Sequence, residues 1–325
     1  MTRTARVRAY AKLNLGLRVL YKRPDGYHEL RTIFQTISLA DSLEISYSTA
    51  RSTVIEMAGT PDIPDNLAER AARLVMDAAG KHGAVGLKLS KYIPAGAGLG
   101  GGSSDAAAVL LALPVLAGVR IPMEQLTAMA AKLGSDVPFF LYGGTALGLG
   151  RGEELYPLPD RRAEQALLVA PDVHSSTADG YRDLSVTLTN VGLQNKLDSF
   201  QRSAWGNCSG EDKSILINDF EDVVLARYPQ LGGIRERLRR AGATRVAMTG
   251  SGSAIFGIFD NPGKLEQTRL EWEKRAETGE RVFSVSFVSR TRYQGAWRRA
   301  LHQDMHDRQD RKGNDTWPPQ SRHAR

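Results

Sequence analysis

A glycine-rich segment in the first half of the chain carries the clearest sign of chemistry. It reads Pro-Ala-Gly-Ala-Gly-Leu-Gly-Gly-Gly-Ser-Ser-Asp-Ala-Ala over residues 94–107. Glycines let a backbone approach an anion closely, and the unpaired amides at the start of the helix that follows attract phosphate. We therefore predict a phosphate-binding loop, with these candidate residues: Pro94, Ala95, Gly96, Ala97, Gly98, Leu99, Gly100, Gly101, Gly102, Ser103 and Ser104.

Other phosphate-binding motifs fit this segment poorly. Gly96, Gly98 and Gly101 satisfy G-x-G-x-x-G, but dinucleotide binding needs that motif in the first βα turn of a sheet, with an acidic residue ending the next strand. Here a second helix is predicted instead, and the sequence holds no G-x-x-x-x-G-K-[ST] motif. A structural glycine turn capped by serine is the alternative, although three consecutive glycines would then cost stability without a purpose.

The elements around the loop follow from residue spacing. Apolar residues alternate from Val7 to Val19, which predicts a strand whose other face carries Tyr10, Lys12 and Asn14. Further strands are predicted over 32–39, 42–48, 86–93, 145–149, 166–170 and 254–259, and helices over 66–81, 103–113, 122–132 and 228–241. Since strands and helices alternate in both halves, we predict two α+β domains packed face to face, over residues 1–160 and 161–298.

Composition limits the remaining possibilities. No run of about 18 uncharged apolar residues occurs, so no membrane partner is expected. Cys208 is the only cysteine, which excludes an internal disulfide and favours a cytoplasmic location. Of the net charge of +7, +5 falls within residues 290–325, so the body is only mildly basic and no nucleic-acid partner is expected. We predict a disordered basic tail over 299–325 and a loop-rich insertion over 186–213.

Several segments, taken in order, resemble the GHMP kinases. They are the glycine-rich loop and residues 9–15, 23–30, 134–140, 150–153, 218–221 and 249–253, so the resemblance spans about residues 7–290. The triple glycine and the Asp-Gly-Tyr-His segment at 25–28 resemble the branch that phosphorylates 4-diphosphocytidyl-2-C-methyl-D-erythritol. The resemblance implies a two-domain α+β kinase with its active site in the inter-domain cleft. It also implies ATP as cofactor, Mg²⁺ bound with ATP rather than in a protein metal site, and a role in the non-mevalonate isoprenoid pathway.

The resemblance also assigns roles to single residues. It makes Asp136 the base that accepts the proton of the acceptor hydroxyl, and Lys12 the cation that stabilises the developing charge. Taken alone, Asp136 would be a helix cap before Val137-Pro138, and Lys12 a solvated strand residue. The implied acceptor-binding residues are Asn14, Tyr27, His28 and Tyr181. In this arrangement the two tyrosines stack on the cytosine and His28 hydrogen-bonds its edge.

Some alternatives stay open at this level. Tyr181 could be an ordinary residue of an amphipathic helix, and the turn over 249–253 could support the acceptor or be purely structural. A GHMP kinase acting on homoserine, mevalonate or a sugar is one rival function. A non-catalytic nucleotide- or RNA-binding protein that kept the fold is another. The oligomeric state has no signal in the sequence.

Overall fold

The computed structural model describes residues 1–59, 65–161, 163–173, 175–187, 192–209, 216–275, 279–302 and 317–319. The strands are β1 (Arg3–Lys22), β2 (His28–Thr49), β3 (Val54–Ala58), β4 (Gly83–Ser90), β5 (Thr145–Leu149), β6 (Glu154–Pro157), β7 (Gln165–Ala170), β8 (Ile217–Asn218), β9 (Arg245–Met248), β10 (Ile255–Phe259) and β11 (Arg281–Ser286). The helices are α1 (Leu67–Ala79), α2 (Gly101–Ala117), α3 (Met123–Leu133), α4 (Val137–Tyr142), α5 (Thr177–Thr187), α6 (Leu193–Ser209), α7 (Phe220–Arg227), α8 (Gln230–Arg240), α9 (Pro262–Arg275) and α10 (Arg290–His302).

Two sheets organise the chain. The first has the strand order β3-β4-β2-β1-β8, and β5 extends it from β2 and pairs in turn with β6. The second has the order β11-β7-β10-β9 and is antiparallel throughout. A bridge between Ile37 and Phe287 joins β2 to the residue after β11. The prediction of an α+β fold is confirmed.

Strand β1 lies between β2 and β8 in the first sheet, and its buried side chains contribute to two different cores. Val7 and Ala9 belong to a core formed with α1–α4, whereas Leu13 and Leu15 belong to a second core shared with β7 and β10. Its antiparallel register with β2 shifts between Tyr10 and Lys12 and again between Asn14 and Gly16. Strand β1 therefore changes its packing partners near Lys12, where polar side chains enter the interior.

The first helix shows how local sequence sets an element's ends. The Asn66 side chain accepts a hydrogen bond from the Ala68 amide at 2.9 Å, as an N-cap should, and Gly80 ends the helix with φ 58°. Glu69, in the first turn, forms an ion pair with Arg73 at 2.6 Å. Both predicted ends of this helix are therefore within two residues of the observed ones.

Three predictions need correction. Strand β2 is continuous, because Asp41 lies inside it, paired with Ala9 of β1, instead of ending one strand and starting another. The 186–213 segment, predicted to be loop-rich, contains α6, and the buried side chain of Phe200 joins the core shared by the two sheets. Its polar sequence hid this helix, because one buried aromatic is not a recognisable pattern. Residues 188–191 and 210–215 lie outside the described residues.

The third correction concerns the predicted tail. Helix α10 continues to His302, and Leu301 packs in the core with α2 and α4. Beyond it, the Trp317 indole donates a hydrogen bond to the Leu141 carbonyl at 3.0 Å. Disorder from residue 299 therefore does not describe these residues, whereas 303–316 and 320–325 lie outside the described part of the chain. None of the described helices is long and apolar enough to cross a membrane.

Candidate active site

A cleft of about 930 Å³ lies between the two halves of the chain and brings most of the predicted site residues together. One end is the glycine-rich loop, hereafter the phosphate-loop end. The other end contains Tyr27, His28 and Tyr181, hereafter the aromatic end. Lys12, Asn14 and Asp136 also line the cleft. All candidate loop residues line it except Ser104, whose buried hydroxyl donates to the Tyr10 carbonyl at 2.7 Å.

Backbone contacts fix the phosphate-loop end. Gly98 has φ 77°, and a side chain there would collide with the Thr249 carbonyl. The Lys12 amide donates to the Leu99 carbonyl at 3.1 Å, and the Ala254 amide donates to the Ala97 carbonyl at 3.3 Å. The loop is therefore held from both halves of the chain, and it runs directly into the N-terminus of α2.

Lys12 and Asp136 form an ion pair beside this loop. The Lys12 Nζ lies 3.3 Å from Asp136 Oδ2 and 2.5 Å from Asn14 Oδ1. The Lys12 side chain is 4% exposed and that of Asp136 is 32% exposed, so the carboxylate is the partner that a ligand can reach. Asp136 makes no side-chain capping bond to α4, and the cap alternative therefore lacks its defining contact.

Asn14 and the 249–253 turn orient this pair. The Asn14 amide Nδ2 donates to Thr32 Oγ1 at 2.7 Å, which directs Oδ1 toward the lysine. The Asn14 backbone amide donates to Thr249 Oγ1 at 3.0 Å. Asn218 Nδ2 in turn donates to the carbonyls of Met248 and Gly250, each at 2.8 Å. The turn therefore supports the loop and Lys12, rather than the acceptor side alone.

Side chains rather than backbone build the aromatic end. The His28 and Tyr181 rings are stacked, with centroids 4.7 Å apart and planes inclined by 14°. The Tyr181 and Phe220 rings form a T-shaped pair with centroids 4.9 Å apart. Tyr27 is 52% exposed, and it is His28 rather than Tyr27 that lies on the Tyr181 ring. The structure thus brings the three predicted residues to one end of the cleft, but in a different arrangement from the predicted sandwich.

Two groups at the aromatic end have displaced pKa values. Burial, and next the positive charge of Lys22, lower the pKa of His28 below its ordinary value. Burial, and next the negative charge of Asp136, raise the pKa of Tyr181 above its ordinary value. The imidazole is therefore held toward its neutral form, which can both donate and accept a hydrogen bond, and the phenol stays protonated.

A charged cluster beside the loop was not found from the sequence. Lys91 forms ion pairs with Asp41 and with Asp105, the latter at 2.8 Å, and both carboxylates are buried. Asp41 also accepts the Tyr92 and Ile93 amides at 2.5 and 2.8 Å. These residues are up to 64 positions apart along the chain, and the only local signal was an acidic residue directly after Ser103-Ser104.

The described residues contain no group of three or more His, Cys, Asp or Glu side chains arranged to hold a metal ion. Near the loop, the Ser103 hydroxyl and the Asp136 carboxylate are among the protein oxygens that line the cleft, where a cation could arrive with phosphates. Such a donor set suits Mg²⁺, which keeps several waters and binds protein through one or two groups together with substrate phosphates.

Comparisons with known proteins find matches to both halves of the chain. The family model of the GHMP kinases N terminal domain matches residues 66–144, and that of the GHMP kinases C terminal domain matches residues 198–278. A 4-diphosphocytidyl-2-C-methyl-D-erythritol kinase from Solibacter usitatus (strain Ellin6076) is 52% identical over 99% of this chain and 98% of its own length. One from Geobacter sp. (strain M21) is 40% identical over 82% of this chain and 93% of its own.

Solved structures give the same result. A crystal structure of 4-(cytidine 5'-diphospho)-2C-methyl-D-erythritol kinase matches with a TM-score of 0.71 and 36% identity, over 87% of this chain and 98% of that one. A homoserine kinase from Cytophaga hutchinsonii matches with a TM-score of 0.70 but only 18% identity, over 89% of this chain and 96% of that one. The second similarity shows the fold alone. With relatives this similar over nearly its full length, the chain belongs to the 4-diphosphocytidyl-2-C-methyl-D-erythritol kinase family of GHMP kinases.

Proposed function

We propose that this protein transfers the γ-phosphoryl group of ATP to the 2-hydroxyl of 4-diphosphocytidyl-2-C-methyl-D-erythritol, in the non-mevalonate route to isoprenoid precursors. The observation that carries the proposal is the Lys12–Asp136 pair, 3.3 Å apart, between a phosphate loop and a group of aromatic side chains in one cleft. The first end suits a triphosphate, and the second suits a base.

The proposed reaction follows from the positions of these groups. The 2-hydroxyl oxygen forms a bond to the γ-phosphorus, while the bond from that phosphorus to the β,γ-bridging oxygen breaks and ADP leaves. Asp136 accepts the hydroxyl proton, which its exposed carboxylate can reach. The Lys12 side chain, held by Asn14, stabilises the negative charge on the transferring group.

Mg²⁺ is proposed to enter with ATP, held by phosphate oxygens with Ser103 or Asp136 within reach, and it would neutralise phosphate charge. We also propose residues 1–160 and 161–298 as the two domains, supported by the change from one sheet to the other near residue 160, although the two-residue strand β8 pairs with β1 of the first sheet. Helix α10 packs back on the first of them. The single cysteine of the sequence supports a cytoplasmic location.

Acceptor-dependent ADP formation tests the function. Purified protein is assayed with Mg·ATP and, in parallel, 4-diphosphocytidyl-2-C-methyl-D-erythritol, methylerythritol phosphate, homoserine and mevalonate. We expect ADP release with the cytidyl acceptor at a kcat/KM at least about 100-fold above the others, because only that acceptor contacts the aromatic end. Equal rates with homoserine or mevalonate would favour the rival kinases. ATP binding without acceptor-dependent ADP would favour a non-catalytic protein.

A further inference from the structure

Arg151 lies on the turn between β5 and β6, at the aromatic end of the cleft. Its guanidinium carbon lies 4.6 Å from the centre of the Tyr27 ring, and both residues line the cleft. The turn is fixed to the start of β2, because the Leu30 amide donates to the Gly150 carbonyl at 2.6 Å. The position of Arg151 is therefore set by the sheet.

Glu153 orients the guanidinium group. One Glu153 carboxylate oxygen accepts the Arg151 backbone amide at 2.6 Å, and the other accepts Nε at 3.1 Å. Within the described part of the chain, neither terminal nitrogen of Arg151 donates a hydrogen bond. The side chain is 27% exposed, so these nitrogens are accessible. An arginine held at Nε presents its terminal edge as a planar pair of donors, which matches phosphate oxygens.

The charges lining the cleft point to the ligand. Among the described lining residues, the Lys and Arg side chains are those of Lys12, Lys91 and Arg151. Lys12 is paired with Asp136, and Lys91 is paired with two buried carboxylates at the phosphate-loop end. The acceptor named by the relatives carries a diphosphate between its cytidine and the methylerythritol that bears the reacting hydroxyl. With the base at the aromatic end and that hydroxyl at Asp136, the diphosphate passes near Arg151.

We propose that Arg151 binds the diphosphate of the acceptor through the terminal nitrogens of its guanidinium group. This assignment rests on the proposed function and extends it to a specificity-determining residue. Arg151 would distinguish a nucleoside diphosphate from the bare nucleoside, while Tyr27, His28 and Tyr181 distinguish the base. The cation–π contact with Tyr27 keeps the arginine in the cleft before the acceptor arrives.

Inhibition by two fragments of the acceptor tests this assignment. Inhibition constants of CDP and cytidine are measured against the acceptor at saturating ATP, so that only binding at the acceptor site counts. In Arg151→Met we expect the CDP constant and the acceptor KM to rise about tenfold, as for the loss of a hydrogen bond to a charged group. The cytidine constant and the KM for ATP should change less than about twofold. Arg151→Lys keeps the positive charge but loses the planar pair of donors. Its CDP inhibition constant and acceptor KM should therefore lie between those of the wild type and Arg151→Met.

Arg8→Met is the matched control. Arg8 also lies over a tyrosine ring, 5.0 Å from the centre of Tyr10, but neither residue lines the cleft. This variant removes the same charge and the same kind of ring contact, and all constants should match the wild type.

Three results would overturn the assignment. An equal rise for cytidine and CDP in Arg151→Met would mean that the arginine acts only through the Tyr27 ring. The same conclusion would follow if the CDP effect vanished in a Tyr27→Leu background. Unchanged CDP inhibition would also refute it. If the wild type itself shows no acceptor-dependent ADP formation, the proposed function fails, and the role of Arg151 fails with it. If the wild type is active but the CDP inhibition constant of Arg151→Met is unchanged, only the proposed role of Arg151 is refuted.

Discussion

The two ends of the cleft are built in different ways. At the phosphate-loop end, main-chain atoms of Gly98 and Thr249 lie against each other, and no side-chain rotation could change their spacing. At the aromatic end, His28 and Tyr181 contact each other through their rings, while Tyr27 is 52% exposed beside Arg151. The first end is preformed, whereas the second is assembled from side chains that can turn.

This difference has a consequence for acceptor binding. A base that stacks on the face of Tyr181 that His28 now covers would displace the imidazole from that ring. The imidazole would then move to the edge of the base, where its neutral form can hydrogen-bond. ATP binding needs no comparable movement of the loop backbone. Substitutions at the two ends should therefore act on different constants.

The largest expected effect concerns the group between the two ends. Asp136→Asn should lower kcat by about 10²–10⁴-fold, because the general base is lost while the shape is kept. The KM values for ATP and for the acceptor should stay near those of the wild type, because neither end is touched. Steady-state kinetics measures both. Asp77→Asn, on the exposed side of α1, serves as control. Near-wild-type turnover in Asp136→Asn would reduce its role to orienting the hydroxyl.

The rigidity of the phosphate-loop end is tested within its own glycines. Gly98→Ala should lower the free energy of unfolding by about 2–4 kcal/mol, since it combines a left-handed backbone with a clash against the Thr249 carbonyl. Gly102→Ala is the matched control, because its added carbon would meet only the Leu67 side chain, at 3.9 Å. That control lies in the first turn of α2, where alanine is the better helix former.

Thermal unfolding without ligand compares the two variants. We expect a clearly lower Tm for Gly98→Ala and an equal or higher Tm for Gly102→Ala. Equal losses in both would mean that the loop is not held by the 249–253 turn, and the contrast between the two ends would disappear.

The sequence predicted the preformed end better than the assembled one, for a physical reason. A run of glycines before a helix is a signal within a few residues, and the Lys12–Asn14 spacing on β1 is likewise local. The contact between His28 and Tyr181 joins residues 153 positions apart, and no periodicity near either one indicates it. The Lys91 cluster was not predicted, because its two carboxylate partners come from β2 and α2, which are distant in sequence.

Long-range packing also explains why parts of the fold were predicted wrongly from the sequence. The apolar alternation of β1 and the caps of α1 are signals within a few residues, and both elements were found. The Trp317 indole and the Tyr293 hydroxyl donate hydrogen bonds to the carbonyls of Leu141 and Phe140, respectively, at the end of the short helix that begins after Asp136. Those contacts cross about 150 residues or more, so a polar C-terminal sequence was misread as wholly disordered.

The assembled end is tested by Tyr27→Ala. Stacking of a base on an aromatic ring is worth about 1–3 kcal/mol, so the acceptor KM should rise roughly 5- to 150-fold. The KM for ATP should not change. Tyr92→Ala is the matched control, because that ring is similarly exposed (55%) yet does not line the cleft. An equal rise of both KM values in Tyr27→Ala would rule out stacking of the acceptor's base on this ring.

The smallest expected effect is a difference in pH dependence between the two ends. At the phosphate-loop end, burial raises the pKa of Asp105 from 3.8 to about 7, against the lowering effect of Lys91 and with Asp41 raising it further. Between these values the folded protein keeps a proton that the unfolded chain has released, so stability falls as pH rises toward 7.

At the aromatic end stability depends on pH in the opposite direction. The lowered pKa of His28 means that the unfolded chain binds a proton first as pH falls below 6.5, so stability falls with falling pH.

Urea unfolding between pH 5 and 8 separates the two contributions when each variant is compared with the wild type. Asp105→Asn should gain stability relative to the wild type as pH rises from 6 to 7, by at most about 1.4 kcal/mol per pH unit for one proton, and then level off. His28→Gln should gain relative stability in the other direction, as pH falls below 6.5. Because the side-chain amide oxygen introduced by Asp105→Asn can still accept a hydrogen bond from Lys91, the first variant removes the titration but keeps a partner for the ammonium group. If the unfolding free energies of both variants depended on pH in the same way as that of the wild type, neither Asp105 nor His28 would have a pKa shifted by folding. The electrostatic contrast between the two ends would then be wrong.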